Sequence, residues 1–145
     1  MKVKDIMTSN LLKYCNPETS IHDAEVLMKI NNLRVLPVLD NSNKVVGLIT
    51  DHDIKNTLSK VHGKLSALLN VGEIMIKKIH TVNADDNISS ALDYMIKNQV
   101  GSVPVVDENG KLKGIVSLFK LISINNNRVI AIKRMEANSV MEESF

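Results

Sequence analysis

Thr50 and Asp53 are the residues whose types and spacing could do chemistry. They lie in Thr50-Asp51-His52-Asp53, where the apolar run Val45 to Ile49 gives way to a polar stretch of helical character. The first turn of a helix carries unpaired N–H groups and partial positive charge, which stabilise an anion such as a phosphate. Thr50 adds a hydroxyl. Asp53 adds a carboxylate able to accept two hydrogen bonds from the cis-diol of a ribose. The pair would hold a sugar-phosphate at two points. Thr-x-x-Asp is equally a variant capping box, in which both side chains satisfy the helix's own amides. On spacing alone the cap is favoured.

The corresponding stretch further along reads Ser117-Leu118-Phe119-Lys120. Ser117 keeps the hydroxyl, but Lys120 replaces the carboxylate and cannot accept a hydrogen bond. A cation in the first turn of a helix is unfavourable by roughly 0.3–1 kcal/mol unless an anion compensates it. Either this second position is empty or Lys120 reaches a phosphate. The expectation is one good nucleoside site organised by Thr50 and Asp53, and one weak or altered site.

Other reactive residues carry less. Cys15 is the only cysteine, which excludes an intrachain disulfide, and it has no base and orienting group in sequence context. His22, His52, His62 and His80 lack metal-ligand spacing, although His52 and His80 could sit near a cleft. No G-x-S-x-G, P-loop lysine or G-x-G-x-x-G is present. The chain is therefore expected not to be an enzyme, to require no cofactor and to hold no metal. Arg34 stands two residues before Leu36 and could contact phosphate, though such a residue is more often a solvated strand end.

The elements that must position these residues occur twice. Ile6-Met7, Leu36-Pro37-Val38 and Gly47-Leu48-Ile49-Thr50 return as Ile74-Met75, Val103-Pro104-Val105 and Gly114-Ile115-Val116-Ser117. Pro37 and Pro104 are 67 residues apart, as are Gly47 and Gly114. A duplicated unit usually buries its apolar face against its other copy. The connector after Ile-Met is one residue longer in the first copy: 15 steps from Ile6 to Ile21, 14 from Ile74 to Ile88.

Each copy predicts helix, strand, strand, helix. Ser20 and Asn87 read as N-caps, with apolar stripes Ile21, Ala24, Leu27, Met28 and Ile88, Ala91, Leu92, Met95, Ile96. Hairpins follow at Val35–Leu39 with Val45–Ile49, and at Ser102–Val106 with Leu112–Val116, the second turning at Asn109-Gly110. Pro37 and Pro104 cannot donate to a ladder, so their strands are expected at an edge or with a bulge, leaving backbone groups free for another partner. Second helices start near Asp51 and Leu118. Val61, Leu65, Leu68 and Leu69 form a stripe that predicts a linker helix over 61–70, and the tail 125–145 looks like its counterpart. The methionines Met7, Met28, Met75 and Met95 recur as matched pairs, which suits core filling.

Bulk composition agrees with a soluble globular chain: 145 residues, 44% hydrophobic, 23% charged. With 3% aromatics and no Trp, the core must be aliphatic. A net charge of +2 is too small to imply nucleic-acid or membrane-surface partners. No stretch approaches the ~18 apolar residues of a membrane span, and the start lacks a signal-peptide pattern. A cytoplasmic protein is the default.

The doubled pattern resembles a tandem pair of CBS domains, the module named for cystathionine β-synthase. The likeness rests on Ile-Met near each start, the apolar-Pro-Val strand, and Gly-apolar-apolar-Thr-x-x-Asp before the last helix. It covers about residues 3–58 and 71–124. It implies an α/β (α+β) fold, with repeats at 1–60 and 71–124 paired about a pseudo-twofold axis. It also implies a homodimer, a regulated protein partner, and a nucleotide ligand such as AMP, ATP or S-adenosylmethionine. By the same resemblance Thr50 and Asp53 contact phosphate and ribose. The base would be lined by the strands around Pro37 and Pro104 and by the segments Leu12, Lys13, Tyr14 and Ile79, His80, Thr81. Apolar walls for a purine would come from Leu36 and Val103, with Val38 and Val105 assigned to the core. The competing expectation is a ligand-independent dimerisation scaffold with degenerate sites.

Overall fold

A computed structural model describes residues 1–61 and 68–124. Ten regular elements follow a short 3-10 turn at Val3–Asp5: α1 (Ile21–Ile30), β1 (Val35–Leu39), β2 (Val45–Thr50), α2 (Asp51–Lys60), α3 (Val71–Ile74), β3 (Val82–Asn83), α4 (Ile88–Lys97), β4 (Ser102–Val106), β5 (Leu112–Ser117) and α5 (Leu118–Ile124). The mixed α/β composition and the helix-strand-strand-helix order agree with the sequence. The compact units do not coincide with the sequence repeats. One unit is Lys13–Ile79. The other joins Met1–Leu12 to the chain from His80 onward.

In the unit Lys13–Ile79, α1 begins where Ser20 Oγ accepts the Asp23 N–H at 3.0 Å. It ends where Asn31 Nδ2 donates to the Leu27 carbonyl at 2.9 Å and Asn32 turns left-handed, φ 54°. Its inner face, Ile21, Ala24 and Met28, packs with Leu36, Val38, Ile49, Ile54 and Val71 in one aliphatic cluster. β1 and β2 pair antiparallel with a bulge after Val38. Asn43 supplies the left-handed turn residue, φ 64°. Both sheet edges are partly covered. Cys15 bridges Val38 in parallel, and Ile76, the residue after the second Ile-Met, exchanges two hydrogen bonds with Leu48 at 2.8 and 3.0 Å.

The other unit repeats this plan. Asn87 Oδ1 caps α4 by accepting the Ser89 N–H at 2.8 Å, and Gln99 takes the left-handed place of Asn32 with φ 56°. The core is Val3, Ile6, Val82, Ile88, Ala91, Leu92, Met95, Val103, Val105, Val116, Leu118, Leu121 and Ile122. Gly110, φ 78°, turns the hairpin as Asn43 does in the other unit. The sheet order is β3-β4-β5, with β3 parallel to β4. Thr8, the residue after the first Ile-Met, exchanges hydrogen bonds with Ile115 at 2.9 and 3.0 Å. Each sheet is thus edged by the Ile-Met segment of the other sequence copy.

Two strand expectations change. β4 is the middle strand of its sheet, so Pro104 is not at an edge. The alternative expectation holds, since a bulge interrupts the ladder after Val105. The carbonyl of Pro37 is not free for a ligand, because it accepts the Cys15 N–H at 3.1 Å while Leu39 N–H donates to the Cys15 carbonyl at 2.8 Å. This parallel neighbour uses the Pro37 carbonyl and the Leu39 N–H, and so does not call on the N–H that proline lacks. The linker helix over 61–70 falls largely on 62–67, outside the described residues. At its described ends Val61 is extended and Leu68 is 72% exposed. The tail 125–145 also lies outside the described residues.

Candidate functional site

Thr50 ends β2 and caps α2 in one residue. Its Oγ accepts the Asp53 N–H at 3.1 Å. This half of the capping-box reading holds, and the hydroxyl proton remains available to donate. The other half does not form: Asp53 sends no carboxylate oxygen back to the Thr50 amide. Its Oδ2 is buried and has no hydrogen-bond partner among the described residues. A buried carboxylate oxygen left without a donor is costly, on the order of 1–3 kcal/mol, so its presence needs a reason. The Asp51 N–H is already taken by the Arg34 carbonyl at 2.9 Å. Two first-turn amides of α2 are therefore spent inside the protein, and the helix end is a less open anion site than the sequence suggests.

The equivalent corner of the other unit is built alike up to the third helical residue. Ser117 Oγ accepts the Lys120 N–H at 3.1 Å, and Leu118 N–H donates to the Gly101 carbonyl at 2.8 Å. Lys120 is exposed. Gly101, the counterpart of Arg34, is buried, whereas Arg34 is exposed and engaged by its side chain or backbone with other groups. The two corners share a backbone and differ in charge.

The apolar candidates require correction. Leu36 and Val103 were expected as pocket walls and Val38 and Val105 as core. Leu36 is 0% and Val103 1% exposed, and all four belong to the aliphatic clusters. Residues two apart on a strand share a face, and Leu36 and Val38 lie on the same buried face here. Pro37 and Pro104 occupy the opposite faces and are buried too.

The connector candidates separate by exposure. Lys13 and Tyr14 are exposed, with Cys15 buried directly after them. Ile79, His80 and Thr81 are half-buried. His80 Nδ1 lies 3.0 Å from the Tyr94 hydroxyl, with the rings edge to face at 5.8 Å. Sequence spacing gave no hint of that pair, because it joins a connector to the outer face of α4. Cys15 is buried: burial raises its thiol to about 11, and its Sγ donates to the Pro37 carbonyl at 3.9 Å. Among the described residues no cluster of three His, Cys, Asp or Glu could hold a metal ion, and no helix is long and apolar enough to cross a membrane.

Comparison with known proteins agrees with this duplicated architecture. The CBS domain model matches residues 3–60 and 71–126. An uncharacterized 17.7 kDa protein of Acidianus ambivalens is 36% identical over 120 residues, covering 83% of this chain and 70% of that protein. Among solved structures, CBSX2 of Arabidopsis thaliana in complex with AMP is 28% identical with a TM-score of 0.70, covering 91% of this chain and 98% of that one. The CBS domain pair of protein MJ0100 in complex with 5′-methylthioadenosine and S-adenosyl-L-methionine is 28% identical with a TM-score of 0.72, covering 92% and 98%.

Proposed function

Because this chain belongs to the CBS domain family as a tandem pair, we infer that it is a regulatory module which binds an adenosine-type ligand through Thr50 and Asp53. The observation that carries this reading is the buried, unpartnered Oδ2 of Asp53, on the residue whose N–H the Thr50 hydroxyl oxygen accepts. The ligands bound by the two similar structures, AMP, 5′-methylthioadenosine and S-adenosyl-L-methionine, share a ribose with a free cis-diol and differ at the 5′ position. A diol is what an acceptor-only carboxylate recognises. The partial positive charge of the α2 N-terminus and the Thr50 hydroxyl then favour an anionic 5′ group such as phosphate. Within the unit Lys13–Ile79, Lys13, Ile79 and Arg34 are assigned to the surroundings of the ligand, and in the other unit Thr81, Ser117 and Lys120 to a weaker second site.

In this reading ligand occupancy shifts a homodimer, or its assembly with a regulated protein partner in the cytoplasm, between states. The chain itself catalyses no reaction and requires no cofactor. Thermal-shift titration with AMP, ATP, S-adenosylmethionine and 5′-methylthioadenosine tests it. One of them should raise the stability as RT ln(1 + [L]/Kd), about 2.7 kcal/mol at a hundredfold excess over Kd. Asp53→Ala should abolish the shift while leaving the unliganded melt at or above that of the parent. A shift unchanged in Asp53→Ala reduces Asp53 to a helix residue. No shift with any adenosine compound favours the ligand-independent scaffold, the reading that the altered Ser117/Lys120 corner would support.

A further inference from the structure

The arm Met1–Leu12 is attached to a unit that lies far from it in sequence. Val3 N–H donates to the Asp86 carbonyl and Lys4 N–H to the Ala84 carbonyl, both at 2.9 Å, while Ile88 N–H donates to the Met1 carbonyl at 3.2 Å. Val3 and Ile6 are buried among residues 82–122. Lys4 and Lys2 reach Asp85 at 3.1 and 3.8 Å, and these cations hold the Asp85 carboxyl below its usual range. The arm then returns to Lys13 through Leu11, which is 87% exposed and left-handed at φ 53°. A left-handed leucine is uncommon and costly, since its Cβ crowds the following carbonyl. The second copy has no such residue after its own Ile-Met. Its connector is one residue shorter, and the left-handed residues of the described chain are Leu11, Asn32, Asn43, Gln99 and Gly110.

We propose that Leu11 is a strained hinge about which the arm Met1–Leu12 can leave its own chain and occupy the same place on a second copy. The backbone hydrogen bonds that the arm makes to residues 84–115 can be reproduced in the exchanged form, while opening releases the left-handed turn at Leu11. Exchange of an identical element between copies is a low-cost route to a dimer, and strain in the connecting hinge promotes it.

Thr8 and Ile115 give the test its handle. They are an antiparallel pair that exchanges both hydrogen bonds, so their Cα atoms are close enough for a disulfide. An untagged Thr8→Cys chain and a tagged Ile115→Cys chain are mixed at high concentration, oxidised, and separated without reductant. Cys15, being buried, stays silent. The expected product is a covalent heterodimer joined 8 to 115. Its yield should fall on dilution before oxidation, and fall roughly tenfold when Leu11→Gly removes the left-handed cost. Absence of this product, while the double variant Thr8→Cys/Ile115→Cys closes within one chain, overturns the proposal.

Discussion

Met7 lies on Gly114, and Met75 lies on Gly47: the methionine of each sequence copy closes over the hairpin glycine of the other. A Cβ on Gly114 would stand 2.8 Å from both the Met7 Sδ and the Thr8 carbonyl. A Cβ on Gly47 would overlap the Met75 Sδ but stay 3.1 Å from the Ile76 carbonyl. A thioether can move aside more readily than backbone.

Gly114→Ala is therefore expected to destabilise the protein by about 1–3 kcal/mol, and Gly47→Ala by less. Met7→Ala should rescue Gly114→Ala only in part, because the Thr8 carbonyl remains. Met75→Ala should rescue Gly47→Ala more completely. Urea unfolding of the four variants and the two pairs checks this. Equal rescue would mean that the methionines alone set the spacing.

The recurrence of these glycines and methionines was legible in the sequence, and so were the helices, whose caps and stripes at Ser20, Asn87, Ile21 and Ile88 act locally. Which methionine meets which glycine was not. Matched spacing pairs Met7 with Gly47 as readily as with Gly114, and only long-range pairing of Thr8 with Ile115 decides it. The four hairpin strands lie where the sequence put them, and only the edge position of the Pro104 strand fails, for a similar reason. β3 is two residues long, too short to show a period, yet it places Pro104 in mid-sheet. At the site, Thr50 and Asp53 were identified by spacing. That Thr50 caps while Asp53 Oδ2 stays unpartnered depends on side-chain direction, which spacing does not encode.

Cys15 gives a pH-dependent prediction. Burial raises its thiol from 9.0 to about 11, so between these values the unfolded chain ionises Cys15 and the folded chain does not. Its contribution is fully present below pH 9.0 and is lost as pH rises toward about 11. The stability of the parent should fall relative to Cys15→Ala by about 2–3 kcal/mol across that window. Comparing the two proteins cancels the other groups that titrate there. A difference independent of pH would show that the thiol ionises freely in the native state. Thiol-reagent labelling of the parent should likewise proceed only at the rate of opening.

Asp53 should read the sugar as well as bind it. If its carboxylate accepts from both hydroxyls of a ribose, 2′-deoxy-AMP loses one charge-assisted hydrogen bond worth about 1.5–3 kcal/mol. It is then expected to bind roughly 10–100-fold more weakly than AMP. In Asp53→Ala the two nucleotides should bind alike, both weakly. Parallel calorimetric titrations decide it, and equal affinity in the parent would place the diol elsewhere.

Lys120 tests whether the two corners differ by one side chain. Ser117 and Leu118 already hold the same backbone bonds as Thr50 and Asp51, so the frame for a second carboxylate exists. Lys120→Asp removes a cation from the first turn of α5 and supplies an anion there, a change worth roughly 0.3–1 kcal/mol to the unliganded protein. It also restores an acceptor where the parent has three donors and no acceptor. Calorimetry with the adenosine ligand should find one strong site per chain in the parent and a second in Lys120→Asp. A variant that gains stability but no second site would show that the Ser117 corner lacks more than the carboxylate, and would return the asymmetry to Arg34 and its buried counterpart Gly101.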